Sequence, residues 1–206
     1  MKKVFFLFFL LQQEVLFSFP RAFEMHLTQV FESLVAEEET KVEGKMTYMA
    51  PEFLYFIITA PQTRRMTYVQ NGEKRWRFTP AFIEGEKHQL MISQGGEESP
   101  FVAVFEILRK QLEDPSLRLE HAELKIEKGH TLNLTFFSPL KEKFALNWAK
   151  LTFKDKKRLP SQLRTIQLSR TDGQVTLFRV ESFKELTNLK SSFFHFEAPE
   201  NTKTIY

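Results

Sequence analysis

The chain has 206 residues, of which 42% are hydrophobic and 27% are charged, a composition that fits one folded domain and excludes intrinsic disorder. Its formal net charge of +3 falls to about +1 without residues 1–22, which excludes the basic surface expected of a nucleic-acid-binding protein. Cysteine is absent, which excludes disulfides, a thiol nucleophile and a lipid-modified cysteine.

The N-terminal segment is typical of a secretory signal. Lys2 and Lys3 precede an unbroken apolar run over residues 4–11, which is too short to span a bilayer. This pattern predicts a signal peptide over residues 1–22, with Ala22 as the best of several weak cleavage sites, or else a retained N-terminal anchor. We therefore expect an exported protein with a single domain over residues 23–206.

The next segment, residues 21–36, is predicted to be an amphipathic helix, because its apolar residues recur at steps of three and four. Alternation of apolar and polar residues then predicts a meander of antiparallel strands, with Asn71-Gly72 as a hairpin turn. The predicted strands of this meander cover residues 42–48, 53–58, 64–70 and 73–79.

The predicted strand over residues 53–58 is apolar on both faces, unlike a strand that has one face in water. Both of its faces must therefore be covered. The neighbouring strands are joined by short antiparallel connections, so crossover helices are not expected as the second cover. We predict that a few short helices or a ligand provide it.

A loop over residues 94–99 leads into a second predicted helix. Ser99 can cap this helix, Pro100 occupies its first position, an apolar stripe runs from Phe101 to Leu112, and Asp114-Pro115 ends it. Further strands are predicted over residues 87–92, 121–127, 131–137, 144–153, 162–169, 174–183 and 191–196.

The sequence contains no motif for catalysis or metal binding. The five histidines lie far apart, without an HExxH pattern or a pair at i, i+4. Neither a GxSxG nor an SxxK motif nor a phosphate-binding glycine loop occurs, and the carboxylates lie mainly in surface-like runs. We therefore predict a binding protein rather than an enzyme, with no catalytic residue, metal or cofactor.

Aromatic usage suits an apolar ligand. The chain has 23 Phe against 4 Tyr and 2 Trp, so most of its rings carry no hydrogen-bonding group. Such rings fit a surface that binds hydrocarbon, and they also fit an ordinary phenylalanine-rich core.

Several short motifs follow one another in a characteristic order. A strand that opens with glycine leads to a proline, a second strand ends at another proline, and a Gly-x-x-x-Trp turn precedes an aromatic-x-Pro sequence. Later come a Ser-Pro-Phe helix start and a Phe-x-Phe-x-x-Pro ending. The residues concerned are Gly44, Pro51, Pro61, Gly72, Trp76, Phe78, Pro80, Ser99, Pro100, Phe101, Phe194, Phe196 and Pro199. In order and spacing they resemble the periplasmic lipoprotein carrier LolA family over most of the chain.

The resemblance implies a mainly β (α+β) fold, an incomplete antiparallel β-barrel or half-barrel with a lid of two or three short helices over an apolar cavity. It implies a monomeric periplasmic carrier, or chaperone, that binds the acyl chains of lipoproteins and transfers them from the inner to the outer membrane. Its partners would be an inner-membrane lipoprotein-releasing ABC transporter and an outer-membrane lipoprotein receptor.

The resemblance also implies which residues line the acyl cavity. Three come from the predicted first helix, three from the strand over residues 53–58 and three from the lid helix, although plain core packing fits the same residues. They are Leu27, Val30 and Phe31, then Leu54, Phe56 and Ile58, then Phe101, Val104 and Leu108.

One position departs from the family. The arginine that precedes the first proline in the family, and fastens the lid there, is Ala50 in this chain. A methyl group cannot donate hydrogen bonds, so either the lid is looser or another donor replaces the arginine, with Arg64, Arg65 and Arg75 as the alternatives.

Three other functions remain open at this point. A half-barrel of the same kind could bind another amphiphile such as a glycolipid. An exported hydrolase with an unrecognised carboxylate pair would turn over an ester or glycoside. A structural envelope protein would have a filled core and bind no apolar dye.

Overall fold

The computed structural model describes residues 19–31, 40–72, 74–94, 99–114, 116–127, 129–156 and 159–206. The first six strands are β1 (Ala22–Phe31), β2 (Thr40–Met49), β3 (Phe53–Ala60), β4 (Met66–Asn71), β5 (Lys74–Thr79) and β6 (His88–Gln94). Then follow α1 (Pro100–Glu113), β7 (Ala122–Glu127), β8 (Thr131–Phe136), α2 (Leu140–Phe144), β9 (Leu146–Phe153), β10 (Leu163–Arg170), β11 (Val175–Glu185) and β12 (Thr202–Ile205). Short 3-10 helices lie at Gln62–Arg64, Pro160–Gln162 and Ser191–Phe194.

All the described strands belong to one sheet in the order β12-β6-β5-β4-β3-β2-β1-β11-β10-β9-β8-β7. Strand β12 runs parallel to β6, and the other neighbours are antiparallel. Strand β1 joins the two halves, because it pairs with both β2 and β11. The sheet ends at β12 and β7 without closing into a barrel, which confirms the predicted mainly β fold.

One face of the sheet, here called the helix face, carries α1 and α2. Val104, Phe105 and Leu108 of α1 are each 0% exposed, and they pack into a continuous core with residues of β1, β2, β3 and β8–β11. Phe144 of α2 joins the same core. The apolar stripe of α1 is thus buried from Phe101 to Leu108 and partly buried at Leu112, as expected of an amphipathic helix on a sheet.

The other face, here called the opposite face, is covered over β3–β6 by the C-terminal segment 189–196. The Phe194 ring is 0% exposed and lies 5.4 Å from Phe53, and the Phe196 ring lies 5.3 Å from Phe78. Val69 also belongs to this smaller core. The predicted covers are therefore present over residues 53–56, with α1 on one side and a 3-10 helix on the other. Ile57 and Ile58 are only partly buried and line a recess.

The predicted helix over residues 21–36 is wrong, because residues 22–31 form strand β1 and residues 32–39 lie outside the described residues. Phe23, Met25 and Leu27 are 0%, 0% and 2% exposed, so the buried positions follow a period of two. The same segment also has apolar residues at helical spacing, and pairing with β2 and β11 decides in favour of the strand.

The predicted strand over residues 191–196 is also wrong. Residues Ser191–Phe194 form a 3-10 helix, and the last strand is Thr202–Ile205. This segment lays its phenylalanine rings across the opposite face of the sheet, whereas the free edge of β6 is taken by β12.

The predicted signal peptide lies mostly outside the described residues, but its last residues are part of the core. The Phe19 ring is 2% exposed and lies 5.4 Å from the Phe23 ring and 5.6 Å from the Phe105 ring. Cleavage at Ala22 would remove this ring from the core. Within the described ranges no helix is both long and apolar enough to cross a membrane.

Candidate functional site

An apolar cleft opens on the helix face where the N-terminal end of α1 lies over β3 and β4. Its volume is about 250 Å³. The walls come from two neighbouring strands and the first turn of α1, which Pro100 opens at a position where no helical N–H is needed. The lining residues are Leu54, Phe56, Met66, Tyr68, Ser99, Pro100 and Phe101.

Three of the nine predicted cavity residues line this cleft. Leu54 and Phe56 lie on the helix face of β3 and alternate with residues on its opposite face. Phe101 of α1 lines the cleft together with them. The rings of Phe56 and Phe101 lie 6.3 Å apart, and Phe101 also contacts the Phe178 ring of β11 at 5.0 Å in an edge-to-face arrangement. The structure thus brings the strand and the lid together at the predicted place.

The other predicted residues have different surroundings. Val104, Leu108 and Leu27 are buried in the helix-face core and do not line the cleft. Val30 is 8% exposed and lies outside that core cluster. Ile58 lines a second recess, of about 330 Å³.

That second recess extends onto the opposite face, because its lining includes Phe78. The last predicted residue, Phe31, ends strand β1, and its side chain lies outside the described part of the chain. Of the predicted residues, those of β3 and α1 thus include three that line the cleft at α1, whereas Leu27 and Val30 of β1 do not line it.

A hydrogen bond from Tyr48 fastens the middle of α1 to the sheet. Its hydroxyl donates to the Glu106 carboxylate at 3.3 Å, and Glu106 accepts in turn from the Arg109 guanidinium at 2.8 Å. Burial raises the pKa of the Tyr48 hydroxyl well above its usual range, and the Glu106 carboxylate raises it further. The phenol therefore stays protonated and remains a donor at every physiological pH.

Tyr48 is not among the residues that the sequence motifs single out as lid fasteners. It lies two positions before Ala50, the position of the family arginine, and its hydroxyl also approaches the Pro51 carbonyl oxygen at 3.5 Å. A neutral phenol on β2 and a carboxylate on α1 thus tie this helix to the sheet.

A second polar contact holds the start of α1. The backbone N–H of Ser99 donates to Gln70 Oε1 at 3.1 Å, and the Tyr68 hydroxyl donates to the same oxygen at 3.1 Å. The side chain of Ser99 makes no capping hydrogen bond of its own, so Gln70 satisfies a donor at the helix N-terminus from the sheet.

Aromatic packing also stabilises the position of α1 on the sheet. The Phe105 ring lies 5.0 Å from Phe23, 5.4 Å from Tyr48 and 5.6 Å from Phe19. Such ring pairs contribute beyond their buried area. The observed cleft, at about 250 Å³, is smaller than the roughly 300–1,000 Å³ typical of ligand pockets.

A larger recess of about 480 Å³ lies over β1, β2 and β11 and is lined mainly by polar side chains. Basic and acidic groups alternate there, including Lys41, Lys45 and Arg179 with Glu43 and Glu181. Within the described residues no group of three or more histidine or acidic side chains could hold a metal ion. This mixed surface lacks the apolar character of the cleft at α1.

Comparison with known proteins gives structural neighbours only. No family model and no curated protein matches the chain. An uncharacterized conserved protein from Thermus thermophilus is 12% identical, with a TM-score of 0.46, covering 90% of this chain and 90% of that one. A LolA superfamily protein from Nitrosomonas europaea is 12% identical, with a TM-score of 0.46 and coverage of 87% and 92%.

A third solved structure is a domain assigned to an outer membrane lipoprotein-sorting protein from Vibrio parahaemolyticus. It is 11% identical, with a TM-score of 0.44, covering 88% of this chain and 92% of that one.

Proposed function

We propose that this protein is a periplasmic carrier that binds the acyl chains of lipoproteins between α1 and the sheet and transfers them from the inner to the outer membrane. The observation that carries the proposal is the apolar cleft between Leu54, Phe56 and Phe101, at the end of a helix whose whole apolar stripe faces the sheet.

The energetics of the task fit a cavity with apolar walls. An acyl chain of about 14 methylenes exposed to water costs roughly 11 kcal/mol at about 0.8 kcal/mol per methylene. Free diffusion between membranes is therefore excluded for such a molecule. A carrier must offset most of this free energy and still release its cargo, which favours a broad apolar wall over a tight polar pocket.

The cleft accommodates part of one chain, so in this proposal full loading moves the middle of α1 away from the sheet. The acyl chains then replace the side chains of α1 on the helix face, where Phe105, Val104 and Leu108 are now fully buried. Replacing one apolar contact by another keeps the net free-energy change small. Helix α1 suits this role because its described polar ties to the sheet are hydrogen bonds at Gln70 and Tyr48 rather than a β-ladder.

In this proposal the carrier accepts its cargo from an inner-membrane lipoprotein-releasing ABC transporter and delivers it to an outer-membrane lipoprotein receptor. The resemblance of the sequence motifs supports these partners. In both transfers the acyl chains and the apolar side chains of α1 exchange places on the helix face of the sheet.

The test is displacement of an apolar fluorescent dye from the purified protein by a tripalmitoylated cysteinyl peptide. We expect the lipopeptide to displace the dye and the same peptide without acyl chains to leave it bound. Absence of dye binding, or equal displacement by both peptides, would contradict the proposal. Mass spectrometry of the protein isolated from its own periplasm should also detect co-purified lipoprotein.

A further inference from the structure

Gln70 carries a buried carboxamide directly behind three of the residues that line the cleft, Leu54, Tyr68 and Ser99. The side chain is 0% exposed, and Gln70 lies directly opposite Leu54 in the pairing of β3 with β4. Its Oε1 accepts hydrogen bonds from Tyr68 and from Ser99, and both of these residues line the cleft. The carboxamide is therefore held in a fixed position next to the apolar space.

The amide nitrogen of Gln70 is buried and has no hydrogen-bond partner within the part of the chain that the structure describes. Buried donors are normally paired, since an unpaired one loses its hydration without compensation. Because Oε1 accepts two hydrogen bonds, the orientation of the amide group is fixed. Its Nε2 therefore keeps a hydrogen-bond donor that a ligand could use.

We propose that Gln70 recognises the head end of the cargo, with Nε2–H donating a hydrogen bond to the carbonyl oxygen of an ester-linked or amide-linked acyl chain. This inference rests on the proposed carrier function. The methylenes of the chain lie along Phe56, Met66 and Phe101, and the carbonyl group lies at the Gln70 end. An acyl chain has one strong acceptor next to its hydrocarbon, which matches one buried donor next to an apolar wall.

The chemistry of the Gln70 amide nitrogen favours an acceptor over a donor in the ligand, because this nitrogen can only donate. A carbonyl oxygen accepts such a hydrogen bond. Plain hydrocarbon offers no acceptor, and an alkyl ether offers a weaker one.

The experiment compares two ligands that differ only in their carbonyl oxygens, dimyristoylglycerol and the matching ditetradecyl glycerol ether, as competitors of a bound apolar dye. The variants are Gln70→Glu, which keeps the acceptor for Ser99 but loses the donor, and Gln70→Met, which loses both. Gln89→Glu is the control, because it makes the same change at an exposed glutamine of β6. Circular dichroism and thermal unfolding confirm that each variant is folded.

We expect the unmodified protein and Gln89→Glu to bind the diester about 5- to 10-fold more tightly than the diether, which corresponds to one buried hydrogen bond. Gln70→Met should bind the two ligands equally, and Gln70→Glu should also lose the preference for the diester, because a carboxylate cannot donate to a carbonyl oxygen. Equal binding by the unmodified protein, or a preference that survives in folded Gln70 variants, would overturn the role of Gln70 and leave the carrier function standing. Failure to bind either ligand would overturn both.

Discussion

The hydroxyl of Tyr48 on β2 donates a hydrogen bond to the carboxylate of Glu106 on α1, with 3.3 Å between the two oxygens. Glu106 is itself positioned by Arg109 at 2.8 Å and by Lys110 at 3.4 Å, both on the same helix. Arg109 in turn forms an ion pair with Glu113 at 2.7 Å. Contacts within α1 therefore fix the position of the Glu106 carboxylate, which accepts the hydrogen bond from Tyr48 of the sheet.

The variant Tyr48→Phe removes this tie and keeps the aromatic ring. We expect the free energy of unfolding to fall by about 1 kcal/mol, the usual net contribution of a hydrogen bond, as measured by urea unfolding. Because α1 is held less tightly, dye association measured by stopped-flow fluorescence should become faster. Tyr55→Phe is the matched control, since Tyr55 packs against Phe193 on the opposite face. Equal effects of the two variants would rule out a lid-fastening role for Tyr48.

Stability at alkaline pH should depend on the same hydroxyl. The pKa of Tyr48 is raised in the folded protein by burial and by Glu106, whereas in the unfolded chain a tyrosine ionises at about pH 10. Above about pH 10 the unfolded chain releases a proton that the folded protein retains, so the free energy of unfolding falls as the pH rises. Below that pH the contribution is fully present.

Urea unfolding at a series of pH values on both sides of the tyrosine pKa tests this expectation. The decline above about pH 10 should be shallower in Tyr48→Phe than in the unmodified protein, because the variant has no proton to release there. Tyr55→Phe again serves as the control. Identical slopes in the unmodified protein and Tyr48→Phe would show that burial of this hydroxyl does not contribute.

Local sequence signals predicted the elements that depend on local physics. The Ser99-Pro100 start and the apolar stripe predicted a helix ending before Asp114-Pro115, and α1 covers Pro100–Glu113. Apolar residues on both sides of the strand over residues 53–58 required two covers, and both are present. These inferences hold because apolar spacing and a proline at the first helical position act within a few residues of chain, although the Ser99 side chain makes no capping hydrogen bond.

Contacts between distant parts of the chain were not predictable in the same way. Phe23 and Leu27 fit a helical stripe, but together with Met25 they also fit a strand, and only pairing with β11 and β2 selects the strand. The hydrogen bond from Tyr48 to Glu106 joins residues 58 positions apart, so no local sequence pattern predicts it. The sequence therefore predicted the strand and the helix that flank the cleft, whereas the hydrogen bond between β2 and α1 could be found only in the folded structure.

The variant Phe56→Glu tests the cleft directly. Phe56 is only partly buried and packs beside Phe101, so a carboxylate there can reach water and the protein should remain folded. Its charge makes the apolar wall unfavourable for hydrocarbon, and we expect dye affinity to fall by about 10-fold or more. Ile126→Glu, at a 60% exposed position on the far edge strand β7, should bind dye normally. Normal binding by folded Phe56→Glu would remove this residue from the site.

The variant Phe194→Ala separates stability from binding. Phe194 is 0% exposed on the opposite face and packs against Phe53 and Phe193, away from the cleft. Truncation of a buried phenylalanine to alanine costs about 3–5 kcal/mol, so urea unfolding should show a large loss of stability. Dye affinity should be unchanged at a temperature where the variant is folded. Phe193→Ala, at a 45% exposed neighbour, should lose much less stability, and a weakened dye affinity in folded Phe194→Ala would show that the two faces are coupled.

Gly44 of β2 lies against the backbone of β3 and against the Phe56 ring that lines the cleft. A Cβ atom at this position would lie 2.9 Å from the carbonyl oxygen of Ile57 and 3.0 Å from the ring of Phe56, which is closer than real contacts allow. In Gly44→Ala either strand β3 or the Phe56 ring must shift, so we expect a loss of about 1–3 kcal/mol in the free energy of unfolding together with weaker dye binding. Lys41→Ala, at an exposed position of the same strand, controls for a general effect on β2. If Gly44→Ala binds dye as the unmodified protein does while losing stability, the shift is taken up by the β3 backbone and the cleft tolerates it.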